Sequence, residues 1–214
     1  MNKIIIFFLA ICIFFRIFAQ GFEYNYKIMT KIPLKDISDI RFGFYSKSAS
    51  KGKYNYIQAN YFDNNGFLIN PSDSFINIGD KDLSHILQDG DVLFISKGFR
   101  YFAWCYHNDF GPAVASAIFF VIRPDINKVL PEYLTTFFNL PKNQEFFKQF
   151  GAGSSIPSIR KSELGSLMIP VLPVSMQKNV VALNSLYRKD FELSSQLLKY
   201  KTELYQSVIS NILK

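Results

Sequence analysis

The sequence predicts an α+β chain, in which a mixed globular domain is followed by one long C-terminal α-helix. Three observations carry this. Short apolar and aromatic runs bounded by turn residues fill the stretch from Lys31 to about Val174, which reads as one domain of ordinary size. Two segments in that stretch, opening at Pro131 and near Lys142, carry helical patterns. From Ser175 to Lys214 neither proline nor glycine occurs, so nothing interrupts a helix over residues 175–214.

Residues 1–28 form an apolar extension. Lys3, the apolar run Ile4 to Phe15 and the small Ala19 before Gln20 have the layout of a secretory signal. The run is too short for a span, which needs about 20 apolar residues, and Arg16 interrupts it. The competing reading takes Met29 as the natural start, because Met29-Thr-Lys-Ile-Pro-Leu opens like a self-contained domain, and treats what precedes it as a spurious upstream start.

Within residues 31–174, strand-like runs occur at Tyr54–Gln58, Asp91–Ser96, Tyr101–Tyr106 and Ala113–Ile122. Turn signals at Asn64-Asn65-Gly66, Asp89-Gly90, Gly98 and Gly111-Pro112 bound them. The last run is apolar throughout and reads as a single central strand ended by Arg123-Pro124. A helix is expected over Pro131–Phe138, with proline at a natural first-turn position and Glu132 near its positive end. A second is expected over Lys142–Phe150, closed by Gly151. Gly151 to Pro157 is a loop, and Leu167–Pro173 is extended because each proline disfavours helix before it.

A helix over 175–214 is about 60 Å long at roughly 1.5 Å per residue. Leu193, Leu197, Tyr200, Leu204, Val208 and Ile212 lie three or four apart and make one apolar stripe. A domain of this size cannot cover so long a stripe, so a helix from a partner chain is the natural cover. A helix folded back on its own domain is the alternative.

The formal charge of +7 fits a polyanionic partner. Cys12 and Cys105 are the only cysteines, which leaves the domain one thiol and no disulfide framework, as in a reducing compartment. Tests for chemistry return negatives. His85 and His107 are not spaced with Cys, Asp or Glu as in a metal motif, so no metal site is expected. Ser158-Ile-Arg-Lys161 fits Ser-x-x-Lys without the Ser-Asp-Asn and Lys-Thr-Gly elements that accompany it in penicillin-binding enzymes. Gly151-Ala-Gly153 opens no nucleotide-binding fold. No Asp or Glu stands two residues before a Lys, as in metal-dependent nucleases, and no Asn/Asp-Pro-Pro-Tyr/Phe motif of adenine methyltransferases occurs. The chain reads as non-catalytic, with no catalytic residue and no cofactor of its own.

Several stretches, in order, resemble the specificity subunits of type I restriction–modification systems. Asp89-Gly-Asp-Val-Leu-Phe-Ile-Ser-Lys-Gly98 is similar to the family's Gly-Asp-(Val/Ile)-Leu turn and strand. Ala115 to Pro124 resembles the strand after it, and Pro131-Glu-Tyr-Leu134 the next helix. Phe150 to Leu164, Ile169-Pro-Val-Leu-Pro173 and Gln177 resemble the family's Gly-rich loop, short helix, Pro-x-x-Pro strand and helix-opening Gln. Leu-Pro-Val-Ser-Met-Gln departs from the usual Pro-Pro-Leu-x-Glu-Gln. Full-length members carry two recognition domains and two helices, so one of each here resembles a half-subunit.

The resemblance implies that residues 31–174 are a DNA target-recognition domain reading half of a bipartite double-stranded site. Residues 175–214 are then the spacer helix, pairing with a second half-subunit or a second copy of the chain. It further implies a cytoplasmic complex with methyltransferase and restriction subunits, which bring S-adenosylmethionine, ATP and Mg. The alternative is an exported ligand-binding or adhesion protein with a cleaved signal. Basic and aromatic residues at turns are the candidate DNA contacts: Lys47, Lys51, Lys53, Tyr54, Lys97, Arg100, Tyr101, Arg160 and Lys161.

Overall fold

Extended and helical segments alternate in a computed structural model that describes residues 30–63, 66–69, 73–150 and 155–213. The 1–28 extension, most of the Gly151 loop and the Asn64-Asn65 part of one turn lie outside the described residues.

Nine strands form three small sheets among the described residues. The largest is antiparallel in the order β2 (Ser38–Phe42), β8 (Phe119–Pro124), β5 (Val92–Ile95), β6 (Ala103–Cys105). A second has the order β4 (Phe75–Ile76), β3 (Tyr54–Ile57), β7 (Ala113–Ala115), with β3 and β7 parallel. A third pairs β1 (Thr30–Pro33) with β9 (Met168–Val171), which ties the start of the domain to its end.

The helices are α1 (Pro131–Asn139), α2 (Pro141–Phe147), α3 (Lys161–Gly165) and α4 (Val174–Ile212). Prolines open α1 and α2, where their missing N–H costs nothing. The core is aromatic: the Phe94 ring lies 5.1 Å from that of Phe138 and 5.0 Å from that of Phe147, joining β5 to α1 and α2. The Asn139 side chain closes the free edge of β6, accepting from the Ala103 N–H and donating to its carbonyl, both at 2.8 Å.

Two sequence expectations change. Ala113–Ile122 is not one strand. The chain turns at residues 116–118, where the Phe119 N–H donates to Ser116 O at 3.0 Å, and passes from the three-stranded to the four-stranded sheet. Both halves are buried on both faces, so the run shows no alternation, and the polar Ser116 is its one local mark of the turn. Gly43 marks the crossing, since a Cβ there would stand 2.1 Å from Ser116 O. The second helix starts one residue early, at Pro141, and ends at Phe147 rather than Phe150. Strands β1, β2 and β4 have no counterpart in the sequence reading.

The long helix is unbroken over Val174–Ile212. Met176, Val180 and Val181 pack on the core, and every described helix residue from Phe191 onward is exposed. Phe191 still stacks on Phe67, and Ser195 and Gln196 still border a groove against the domain, so it is residues 197–212 that run on past it, roughly 24 Å of helix.

Candidate nucleic-acid interface

The motif residues turn out to be fold anchors. Gly90 has φ +83, and a Cβ would meet Pro131 Cγ at 2.9 Å, so the turn into β5 and the first residue of α1 fit only around glycine. Asp91 is fully buried. It accepts from Arg123 Nε and Nη2, both at 2.7 Å, and from the Gln88 N–H at 2.8 Å. The bond to Asp91 also raises the Arg123 pKa. Gln177 is equally buried. Its Oε1 accepts from the Leu130 N–H at 2.8 Å, while Nε2 donates to Lys128 O at 2.9 Å and Leu172 O at 2.7 Å. One side chain thus fixes the base of α4 to both the entry of α1 and the exit of β9.

The anchored framework presents a continuous surface of two shallow depressions that share Ala59 and Ile118. One, of about 750 Å³, is lined by Tyr45, Lys47, Ser48, Gln58 and Asn60; the other, of about 720 Å³, by Lys97, Phe99, Arg100 and Lys148. No carboxylate lines either among the described residues. Tyr45 is 84% and Phe99 77% exposed, so both offer ring faces to a ligand. The Gly98 N–H donates to Pro157 O and the Ile159 N–H to Ser96 O, both at 2.9 Å, which seats 157–161 beside Lys97. Arg160 and Lys161, both exposed, extend from that ridge.

The structure sorts the nine sequence candidates. Lys47, Lys97, Arg160 and Lys161 are exposed on or beside this surface. Lys51 and Lys53 are exposed on the β2–β3 connection, where the Lys53 N–H donates to Asn77 Oδ1 and its ammonium sits 5.3 Å from the Tyr54 ring centroid. Tyr54 and Tyr101 are core residues, 6% and 3% exposed, and this corrects their reading as surface aromatics. Alternation in β3 turns Tyr54 inward with Tyr56, and Tyr101 stacks on Phe94. Arg100 is half-buried and donates to the carbonyls of Phe62 and Ala59, holding the loop after β3. Tyr45, Gln58, Asn60, Phe99 and Lys148 were missed. Only Phe99 had a local signal, a large aromatic directly after a turn glycine.

The six stripe residues Leu193, Leu197, Tyr200, Leu204, Val208 and Ile212 are all exposed. Leu186, Tyr187, Phe191, Leu198, Tyr205, Ile209 and Leu213 join them, so the apolar surface is wider than one seam. Spacings of 4-3-4 from Leu193 to Leu204 suit a left-handed coiled coil, and two further steps of four relax that supercoil.

The two histidines part company. His85 packs on Phe44 with ring centroids 5.0 Å apart. His107 is brought to Cys105 and Glu132, a convergence that the linear spacing does not show. Burial, with Glu132, Asp89 and Asp91 nearby, pushes the Cys105 thiol pKa well up. No described helix is long and apolar enough to cross a membrane.

In sequence, the model of the type I restriction modification DNA specificity domain matches residues 27–199. No curated protein matches the chain. Among solved structures, it resembles one described for complex assembly and conformational transition of the type I R-M system, at TM-score 0.60 and 15% identity over 83% of this chain and 43% of that one. It also resembles the HsdS subunit from Thermoanaerobacter tengcongensis, at TM-score 0.55 and 15% identity over 75% of this chain and 38% of that one. The S subunit of the type I system from M. genitalium gives TM-score 0.54 and 17% identity over 77% and 40%. The chain thus spans about two fifths of the length of these structures. By the family match, which covers most of its length, the chain belongs to the type I restriction–modification DNA specificity domain family.

Proposed function

We propose that the chain reads one half of a bipartite double-stranded DNA site and directs methyltransferase and restriction subunits to it, without catalysing a reaction itself. The observation that carries this is a surface lined by Lys47, Lys97, Gln58, Asn60, Tyr45 and Phe99 and by no carboxylate among the described residues, with Lys148 at its edge paired to Glu145, on a domain of a DNA specificity family. Lysines there meet phosphates and set the register on the duplex. Gln58 and Asn60 are of the side-chain type that pairs bidentately with adenine in the major groove.

The helix is the assembly element in this reading. Its exposed stripe pairs with an equivalent helix, from a second copy or a second half-subunit, and sets the spacing between half-sites. S-adenosylmethionine, ATP and Mg belong to the partner subunits, and the complex works in the cytoplasm.

The test is binding of the full chain, with its methyltransferase partner, to a randomised duplex pool at two salt concentrations. Enrichment of one short sequence, with affinity falling as salt rises, is expected. Equal affinity for all sequences overturns the reading. Replacing both Leu197 and Leu204 by Lys is expected to prevent helix pairing in sedimentation while leaving the domain folded.

A further inference from the structure

Sharing no lining residue with the proposed reading surface, a groove of about 960 Å³ is bounded by α4 and the sheet. Cys105, His107 and Glu132 all line it. Cys105 and His107 are two residues apart in extended backbone, so their side chains leave on the same side. Glu132 stands in the first turn of α1, the helix packed on β6. One potential ligand atom from each lies within 4.8 Å of the other two, and His107 Nε2 is 3.8 Å from Glu132 Oε1.

We propose that Cys105 Sγ, His107 Nε2 and Glu132 Oε1 form a three-ligand site for a thiophilic divalent cation of the zinc class, with its fourth position open to water in the groove.

Three features separate this cluster from an incidental meeting of polar groups. The donor set is one sulfur, one imidazole nitrogen and one carboxylate oxygen, which favours zinc over the oxygen-seeking Mg and Ca. Zinc bonds of about 2.0–2.3 Å in tetrahedral geometry place ligand atoms roughly 3–4 Å apart, close to the separation already present. His107 and Glu132 are partly exposed and free to close the remaining distance, whereas Cys105 is held by the sheet. The third feature is the ring's other nitrogen. His107 Nδ1 lies 3.7 Å from Asp89 Oδ1, and that same oxygen accepts from the Asn108 N–H at 3.0 Å. At 3.7 Å this contact is longer than a hydrogen bond, and a small turn of the exposed ring toward the ion would close it into the carboxylate–imidazole pairing that accompanies histidine ligands of metals. Bound there, the ion clamps β6 to the start of α1, beside the base of the long helix.

The experiment loads the full chain with zinc or cobalt(II). One retained equivalent of zinc after removal of excess, a melting temperature that rises with zinc, and a sulfur-to-cobalt charge-transfer band are expected. The band is lost in Cys105→Ser and kept in Cys12→Ser. Asp89→Asn is expected to weaken binding by about 10–100-fold, and His107→Ala and Glu132→Gln by more. Those three side chains are partly exposed, so their variants are expected to keep the wild-type circular dichroism and to report on the site even where Cys105→Ser misfolds. Absence of the cobalt band in the wild type, or an undiminished band in His107→Ala, overturns the proposal.

Discussion

The anchors at Asp91 and Gln177 and the surface around Lys97 differ in almost every physical respect. The anchors are buried side chains whose polar atoms all meet named partners at 2.7–2.9 Å. The surface is made of exposed lysines, amides and rings in turns and strand ends, and carboxylates are missing from its lining among the described residues. A buried anchor admits one residue type, because a change strands its partners in low dielectric. A solvated surface accepts many residue types at little cost to the fold. The motifs that link this chain to its family therefore report the scaffold, while the proposed DNA contacts are residues that no motif marks.

Asp91 is where anchor and surface should part most widely. Asp91→Ala leaves the Gln88 N–H and the Arg123 fork without their acceptor. Loss of one member of a buried pair costs about 3–5 kcal/mol, and the lower end applies because Arg123 is 31% exposed and regains water. Urea unfolding should show about 3 kcal/mol lost, with salt dependence of DNA binding unchanged in the folded fraction. A change in that salt slope would mean the anchor also touches DNA. Gln177→Leu, which strands one N–H and two carbonyls, is expected to cost about 2–3 kcal/mol by the same measurement.

Tyr133 extends the scaffold's signature to alkaline pH. Burial raises its phenol from 10.0 to about 12, and its hydroxyl donates to Pro170 O at 2.6 Å. The folded state holds this proton more tightly than the unfolded chain does. Its contribution is complete below pH 10 and is lost as pH climbs from 10 to about 12. The loss amounts to about 2–3 kcal/mol, and Tyr133→Phe should remove that part of the alkaline slope in pH-dependent denaturation.

The surface responds in the other currency. Lys47→Ala, Lys97→Ala and Lys148→Ala are each expected to lower the slope of log K against log salt by about 0.9 if the lysine contacts a phosphate. Midpoints of urea unfolding should stay at the wild-type value. Arg100→Ala sharpens the contrast, since it lies on the same surface yet donates to the Phe62 and Ala59 carbonyls. It should lower stability as well as binding.

How much of this was legible in the sequence follows the same division. The long helix was plain because forty positions without proline or glycine and a 3–4 spacing are local facts. The Gly90 turn, β5 and α1 were legible from turn and cap chemistry. The break at residues 116–118 was not, because a run buried in two sheets shows no alternation. The pairing of β1 with β9 joins residues 30–33 to 168–171, and no local pattern encodes a contact across such a separation. Cys105, His107 and Glu132 meet for the same reason, through packing of α1 on β6. Tyr54 and Tyr101 were misread because tyrosine suits both a core and a surface, and composition cannot separate the two.

Tyr101 gives the smallest effect and the cleanest separation of the two regions. It borders the second depression, next to Arg100, yet is only 3% exposed and stacks at 6.2 Å on Phe94. Its hydroxyl is buried without a hydrogen-bond partner among the described residues. An unpaired buried hydroxyl carries a desolvation cost that no bond offsets. Tyr101→Phe keeps the ring and deletes that cost, so it should leave stability unchanged or raise it by up to about 1 kcal/mol. DNA binding and its salt slope should not move. A fall in affinity would place the Tyr101 hydroxyl at the DNA surface, whereas a fall in stability would show that the hydroxyl is satisfied in solution. Neither outcome is compatible with a ring that serves only to fill the core beneath the proposed reading surface.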